Sequence, residues 1–210
     1  GLLPQGIPDS IREVLVDCAP RPEPGEPSID AGWGEPGLTT AEKLYAWNTF
    51  EVLAFRTGNP DNPVNAIPGR ATATCQVRFV AGCDPETFVP LLRSHLDAAG
   101  YPMVKVAPAR SSFMQATRMD PKDPWVQWAA ESMARTTGTR PGFRPNMGGA
   151  RPNDGLAGGV GRPAGGVPPS YAGCSQHAPA EHVLAPILRE GLQLMTGLFW
   201  DLGERDATRP

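Results

Sequence analysis

Hydrophobic and polar residues alternate along this chain with two periods, and the changes between them mark out its elements. Ile11, Val14 and Leu15 recur at helical spacing within Pro8 to Cys18, with Asp9 and Ser10 as candidate caps. A second short helix is expected over Leu38 to Trp47, where Thr40 precedes Ala41 and Glu42. Phe50 to Phe55 reads as a strand. Arg70 to Val80 is the clearest strand: Ala71, Ala73, Cys75, Val77 and Phe79 fall on one face, Thr72, Thr74, Gln76 and Arg78 on the other. Such alternation predicts a sheet with one face on a core and the other in water or facing a cleft.

Beyond the strands the period returns to 3.6. Asp84 and Pro85 open a helix with the stripe Phe88, Leu91, Leu92 and Leu96, ended by Gly100. Tyr101 to Val106 is expected to be a further strand. Asp123 and Pro124 open another helix, with Trp125, Trp128, Ala129 and Met133 inward and Gly138 as its stop. A long helix is expected from about Pro186 to Leu202, with the stripe Ile187, Leu188, Gly191, Leu194, Met195 and Leu198. The fold class this predicts is α+β: a small antiparallel sheet with helices on one face, followed by part of an α/β domain. Residues 1–37 lead in, 38–114 form the sheet domain, and 115–210 supply the incomplete second domain.

Composition narrows the functional classes. In 210 residues the formal net charge is −3 and the pI about 5.6, so no basic surface invites nucleic acid or anionic lipid. No apolar run approaches the ~20 residues of a membrane helix. Cys18, Cys75, Cys83 and Cys174 are scattered, with no C-x-x-C pair. They suit unpaired thiols in a reducing, cytoplasmic setting. The 24 glycines and 25 prolines concentrate in residues 19–37 and 138–173, which reads as long loops between compact elements. Gly1 to Gly6 has neither initiator Met nor signal-peptide pattern, so the chain is expected to begin inside a longer protein.

Candidate chemistry gathers in Ser170 to His182, which holds two of the three histidines, Cys174 and Glu181 in a Gly/Pro-punctuated loop ahead of the last helix. By spacing alone, His177 and His182 read as surface-loop histidines, because His-x4-His without a second ligand pair is not a closed zinc pattern. Arg78 reads as a solvated strand arginine or as a fork gripping a carboxylate. Asn65, just before Ile67 and Pro68, reads as a turn residue holding its own backbone. His95, on the polar edge of its helix, reads as solvated. The glycine-rich tract near residues 155–166 lacks the Gly-Lys-Ser/Thr ending of a phosphate loop and a strand before it.

Five segments in order, Trp33-Gly34-Glu35-Pro36-Gly37, Asn65-Ala66-Ile67-Pro68, Gln76-Val77-Arg78-Phe79-Val80, Gly148-Gly149-Ala150 and the His177 loop, resemble the dinuclear zinc aminoacylase/dipeptidase/carboxypeptidase family. The loop is similar to that family's His-Ala-Pro-Asn-Glu segment, and the likeness runs from about Trp33 to Glu204. It implies His177 as a metal ligand, Arg78 as anchor for the substrate carboxylate, and Asn65 as a polarising contact. Gly149 and Ala150 would be the turn that helps hold that carboxylate. It also implies two zinc ions per active site, with cobalt or manganese as alternatives. The substrate would be a peptide or N-acyl amino acid with a free carboxylate, and the protein a homodimer through the lid.

The sequence departs from the family where Ala150 replaces a serine and Ala180 an asparagine, and where glycines fill a segment expected to be an apolar helix and strand. The ligands and general base of the N-terminal catalytic half are absent, so this chain alone is expected to be inactive. The alternative is a non-catalytic dimerisation module that keeps only the lid fold.

Overall fold

The computed structural model describes residues 3–20, 28–109, 113–147, 153–156 and 164–204. The fold is α+β, as the alternation of periods predicts. Five helices are described: α1 (Asp9–Leu15), α2 (Thr40–Tyr45), α3 (Phe88–Ala98), α4 (Pro124–Thr137) and α5 (Ala185–Gly203). Two strands, β1 (Thr49–Thr57) and β2 (Ala71–Arg78), pair antiparallel.

The buried core gathers at the start of the chain. Ile7, Ile11 and Leu15 close against Ala41 and Ala46 of the second helical segment, with Leu38, Tyr45 and Trp47 packed around them. Removing such side chains from water stabilises the cluster by roughly 1.5–3 kcal/mol for each large aliphatic group. Polar contacts secure its edge. Thr39 caps α2 in a reciprocal box, its backbone N–H donating to Glu42 Oε2 at 2.7 Å and its hydroxyl accepting from the Glu42 N–H at 3.3 Å. Arg12 donates to Glu42 Oε1 from α1. These helices also touch the later part of the chain: Cys18 Sγ donates to the Phe143 carbonyl at 2.8 Å, and the Arg144 guanidinium lies 5.6 Å from the Tyr45 ring centroid.

Cap positions shift by a residue from expectation. The residue before α2 is Thr39 rather than Thr40, and α1 is preceded by Pro8 with no side-chain cap, which leaves Asp9 inside the first turn. Asp123 caps α4, accepting from the Trp125 N–H at 2.8 Å, whereas Asp84, accepting from the Glu86 N–H at 3.0 Å, caps a 3-10 turn (Pro85–Thr87) that runs into α3.

The expected strand at Tyr101 to Val106 is irregular, for a local reason. Gly100, at φ 85°, ends α3, and the Tyr101 N–H turns back to the Leu96 carbonyl at 2.8 Å while Gly100 N–H bonds Asp97 at 3.1 Å. The Arg93 guanidinium then takes the Pro102 carbonyl at 3.2 Å and also the Val104 carbonyl. Pro102 has no N–H to give a ladder. These groups are satisfied by the helix they follow, not by a sheet.

Register on the ribbon settles the faces. Phe50 opposes Val77, Val52 opposes Cys75 and Phe55 opposes Ala73, with an irregularity between Val52 and Ala54. This apolar side, expected on a core, is open: Phe50 is 50 %, Val52 61 % and Phe55 67 % exposed. Glu51, Gln76, Arg78, Thr72 and Thr74 share the polar side. An edge-to-face contact between Phe79 and Phe88, centroids 5.1 Å apart, joins the end of the ribbon to α3.

In the second part of the chain α4 and α5 pack together, and Arg135 reaches Asp201 at 2.6 Å. Ala130 and Ser132 are fully buried, while the expected inward Trp125, Trp128, Ala129 and Met133 are half-buried. On α5, Ile187, Gly191, Leu194 and Leu198 are partly covered, but Leu188 and Met195 of the expected stripe are exposed, in line with Leu192, Phe199 and Leu202. The apolar surface of α5 is wider than one neighbouring helix can cover. Of the glycine-rich tract, residues 157–163 lie outside the described residues, and 164–170 form neither helix nor strand.

Candidate functional site

The loop before α5 is built from a short turn and three unusual residues. Ala172–Cys174 makes one 3-10 turn with Cys174 buried, and Ser175 ends it in the left-handed region at φ 55°. His177 and Ala180, both at φ 62°, share that conformation. Side chains other than glycine adopt it at a cost of order 1–3 kcal/mol each when the surroundings impose it. Here the surroundings include a bond from Ala178 N–H to the Ser175 carbonyl at 2.9 Å and one from His182 N–H to the Cys174 carbonyl at 3.0 Å. Pro186 then starts α5 in its first turn.

The two loop histidines have different surroundings. His182 Nδ1 lies 3.0 Å from the Ala180 carbonyl and Nε2 lies 2.5 Å from the Tyr171 hydroxyl, with the two rings edge-to-face at 5.8 Å. A carbonyl only accepts, so in the neutral ring Nδ1 carries the proton and Nε2 accepts from Tyr171. Both ring nitrogens of His182 are engaged. His177 is exposed and makes no side-chain hydrogen bond among the described residues, so its imidazole is available to a metal. The fit extends to one ligand only: no group of three or more His, Cys, Asp or Glu that could hold a metal ion exists among the described residues.

Arg78 stands at the end of β2 on the polar face of the ribbon, as the alternation predicts. Its Nε lies 3.4 Å from Glu51 Oε2, both side chains being over two-fifths exposed. An exposed pair of this kind is weak, and a substrate carboxylate could compete for the guanidinium. Asn65, exposed in the loop between the strands, holds no backbone group with its amide among the described residues, although Ala66 N–H closes a tight turn on the Val64 carbonyl at 2.8 Å. Gly149 and Ala150 lie outside the described residues. His95 is exposed on α3. No contact links Arg78 or Asn65 to the His177 loop among the described residues.

Two participants escape sequence reasoning. Tyr171 carries the one phenol in the histidine loop, which was its only signal. Glu51 precedes the strand irregularity on the same polar face as Arg78, a pairing that becomes visible only with the register of β1 on β2.

No protein-family model and no curated protein matches the chain. Among solved structures it is similar to an M20 family metallo-carboxypeptidase, Sso-CP2 from Sulfolobus solfataricus, with a TM-score of 0.66 and 22 % identity over 92 % of this chain. The match covers 45 % of that protein, so this chain spans a little under half its length. The likeness is one of fold, and the fold is M20 peptidase-like. No helix among the described residues is long and apolar enough to cross a membrane.

Proposed function

We propose that this chain is the C-terminal portion of a cytoplasmic, zinc-dependent peptidase or amidohydrolase. The enzyme would cleave the amide bond of a dipeptide or N-acyl amino acid with a free carboxylate. Residues 38–114 would belong to its lid and dimerisation domain, led in by 1–37, and 115–210 to its metal-binding domain. The observation that carries the reading is His177, exposed and without a side-chain hydrogen bond among the described residues, on a left-handed loop at the mouth of α5 in a chain of peptidase-like fold. His177 is one ligand. The others, with the general base, come from the N-terminal catalytic half that completes the protein. Zinc, with cobalt or manganese as substitutes, supplies Lewis-acid activation of water and carbonyl when bound.

The residues of this chain bind and orient. Arg78 releases Glu51 and takes the substrate carboxylate with its fork of donors. Asn65 donates an amide hydrogen toward the oxygen on which charge develops. Gly149 and Ala150, outside the described residues, are proposed from the sequence alone as part of the carboxylate site, where Ala150 lacks the hydroxyl a serine would give.

Arg78→Ala in the complete enzyme is expected to raise KM by about 10- to 100-fold with little change in kcat, since a charged hydrogen bond contributes about 1.5–3 kcal/mol. Arg78→Lys is expected to recover only part of that loss. Steady-state kinetics on an N-acyl amino acid tests this, and an unchanged KM would remove Arg78 from the substrate site.

A second reading, a dimerisation module without activity, draws on the open apolar face of the ribbon at Phe50, Val52 and Phe55, which a second copy could cover. The same surface serves a homodimeric enzyme, so dimerisation alone does not separate the two; bound metal and turnover do.

A further inference from the structure

The two histidines of the loop differ in their surroundings: Tyr171 bonds His182 and leaves His177 open. We infer that Tyr171 is a positioning residue: its hydroxyl, through His182, clasps the two ends of the loop and holds His177 in the orientation that presents its imidazole. The inference rests on the proposed metal-ligand role of His177. Tyr171 sits at the start of the loop and His182 at its end, eleven residues apart, and their side chains meet at 2.5 Å. On the far side of the ring, Nδ1 holds the Ala180 carbonyl at 3.0 Å, and the His182 N–H holds the Cys174 carbonyl at 3.0 Å. His182 is therefore bonded to both limbs of the loop at once.

Between those limbs lie Ser175, His177 and Ala180, all with positive φ. Residues that disfavour the left-handed region revert to extended backbone unless something spans the turn they make. Among the described residues, only the Ser175 to Ala178 bond is local to the turn. The backbone bond from His182 N–H to the Cys174 carbonyl and the side-chain span from Tyr171 to His182 hold the turn together from outside the segment that carries His177. A loop so closed gives up little freedom when His177 takes a ligand, which is how outer contacts raise the affinity of a metal site.

Tyr171→Phe tests this because it removes one oxygen and keeps the ring that packs edge-to-face on His182. Three readouts apply. In the 210-residue chain, nitrogen-15 spectra of the wild type are expected to show His182 protonated on Nδ1 with Nε2 as acceptor, and the variant to lose the Nε2 hydrogen-bond signature. Hydrogen exchange at the His182 amide is expected to speed up about tenfold in the variant. In the complete protein, cobalt(II) affinity is expected to fall about 10- to 100-fold, with the stoichiometry kept.

Unchanged exchange, or a proton on Nε2, would overturn the clasp. Faster exchange with unchanged cobalt affinity would leave the clasp and overturn its positioning role. If wild type and His177→Ala bind cobalt equally, the metal-ligand reading fails and the positioning role falls with it, while the exchange result still decides the clasp.

Discussion

His177→Ala in the complete protein is expected to weaken metal binding by at least about 100-fold and to abolish turnover at ordinary metal concentrations. The magnitude follows from coordination arithmetic. Catalytic zinc sites use about three protein ligands and a water, so losing one imidazole leaves an incomplete set. Changes one shell further out already cost about 10- to 100-fold. The effect should be specific among the histidines. His95→Ala, on the exposed side of α3, is expected to leave metal content and activity unchanged. Metal titration of the apoprotein with a chromophoric chelator separates these outcomes, and equal affinities for wild type and His177→Ala would exclude His177 from the site.

The second large effect concerns stability. Glu42, 6 % exposed, accepts from Thr39 N–H, the Thr39 hydroxyl and Arg12 at once. The Thr39 backbone bond, more than the Arg12 charge, holds its carboxyl below the usual glutamate range against the opposing effect of burial. A carboxyl depressed in the folded state binds its proton more tightly once unfolded. Its contribution is complete above the unfolded pKa, roughly 4.3, and is lost as the pH falls through the lower folded value. Acid should therefore loosen the cluster around Ile11 and Leu15.

Glu42→Ala is expected to cost about 1.5–3 kcal/mol near neutral pH, the worth of a charge-assisted hydrogen bond with the cap it completes. The penalty should shrink in acid as the pH falls through the depressed folded value and the wild-type carboxyl takes up its proton. Chemical denaturation of both proteins from neutral pH to about pH 3 reads this directly. A penalty that stays constant with pH would show that the lost packing, not the carboxylate, accounts for it.

The sequence was informative where local chemistry decides conformation. Asp84 with Pro85, and Asp123 with Pro124, marked where two helical runs begin because cap and first-turn proline act within three residues, although the first run opens as a 3-10 turn and becomes α-helical only at Phe88. The strand faces were legible in the same way, since alternation puts Arg78 opposite Cys75 and Val77 whatever covers the sheet. Coverage itself was not legible. Whether Phe55, Leu188 or Met195 is buried depends on what lies across it, and no periodicity states that. The Tyr101 to Val106 segment failed for a related reason: a β-prone run becomes a strand only with a neighbour to pair with, and Arg93 took its carbonyls instead. At the candidate site, sequence reasoning singled out the loop but not the difference between its histidines. That difference lies in a hydrogen bond from Tyr171, eleven residues away.

Intact mass combined with metal analysis of the protein purified from its native source tests the metallopeptidase reading. The expected result is a species in which this sequence is accompanied by a catalytic half, within one chain or as a nicked pair, carrying about two zinc ions, the number expected of a dinuclear site. A lone 22.4 kDa chain without stoichiometric metal would contradict it and leave the dimerisation module as the reading of this fold.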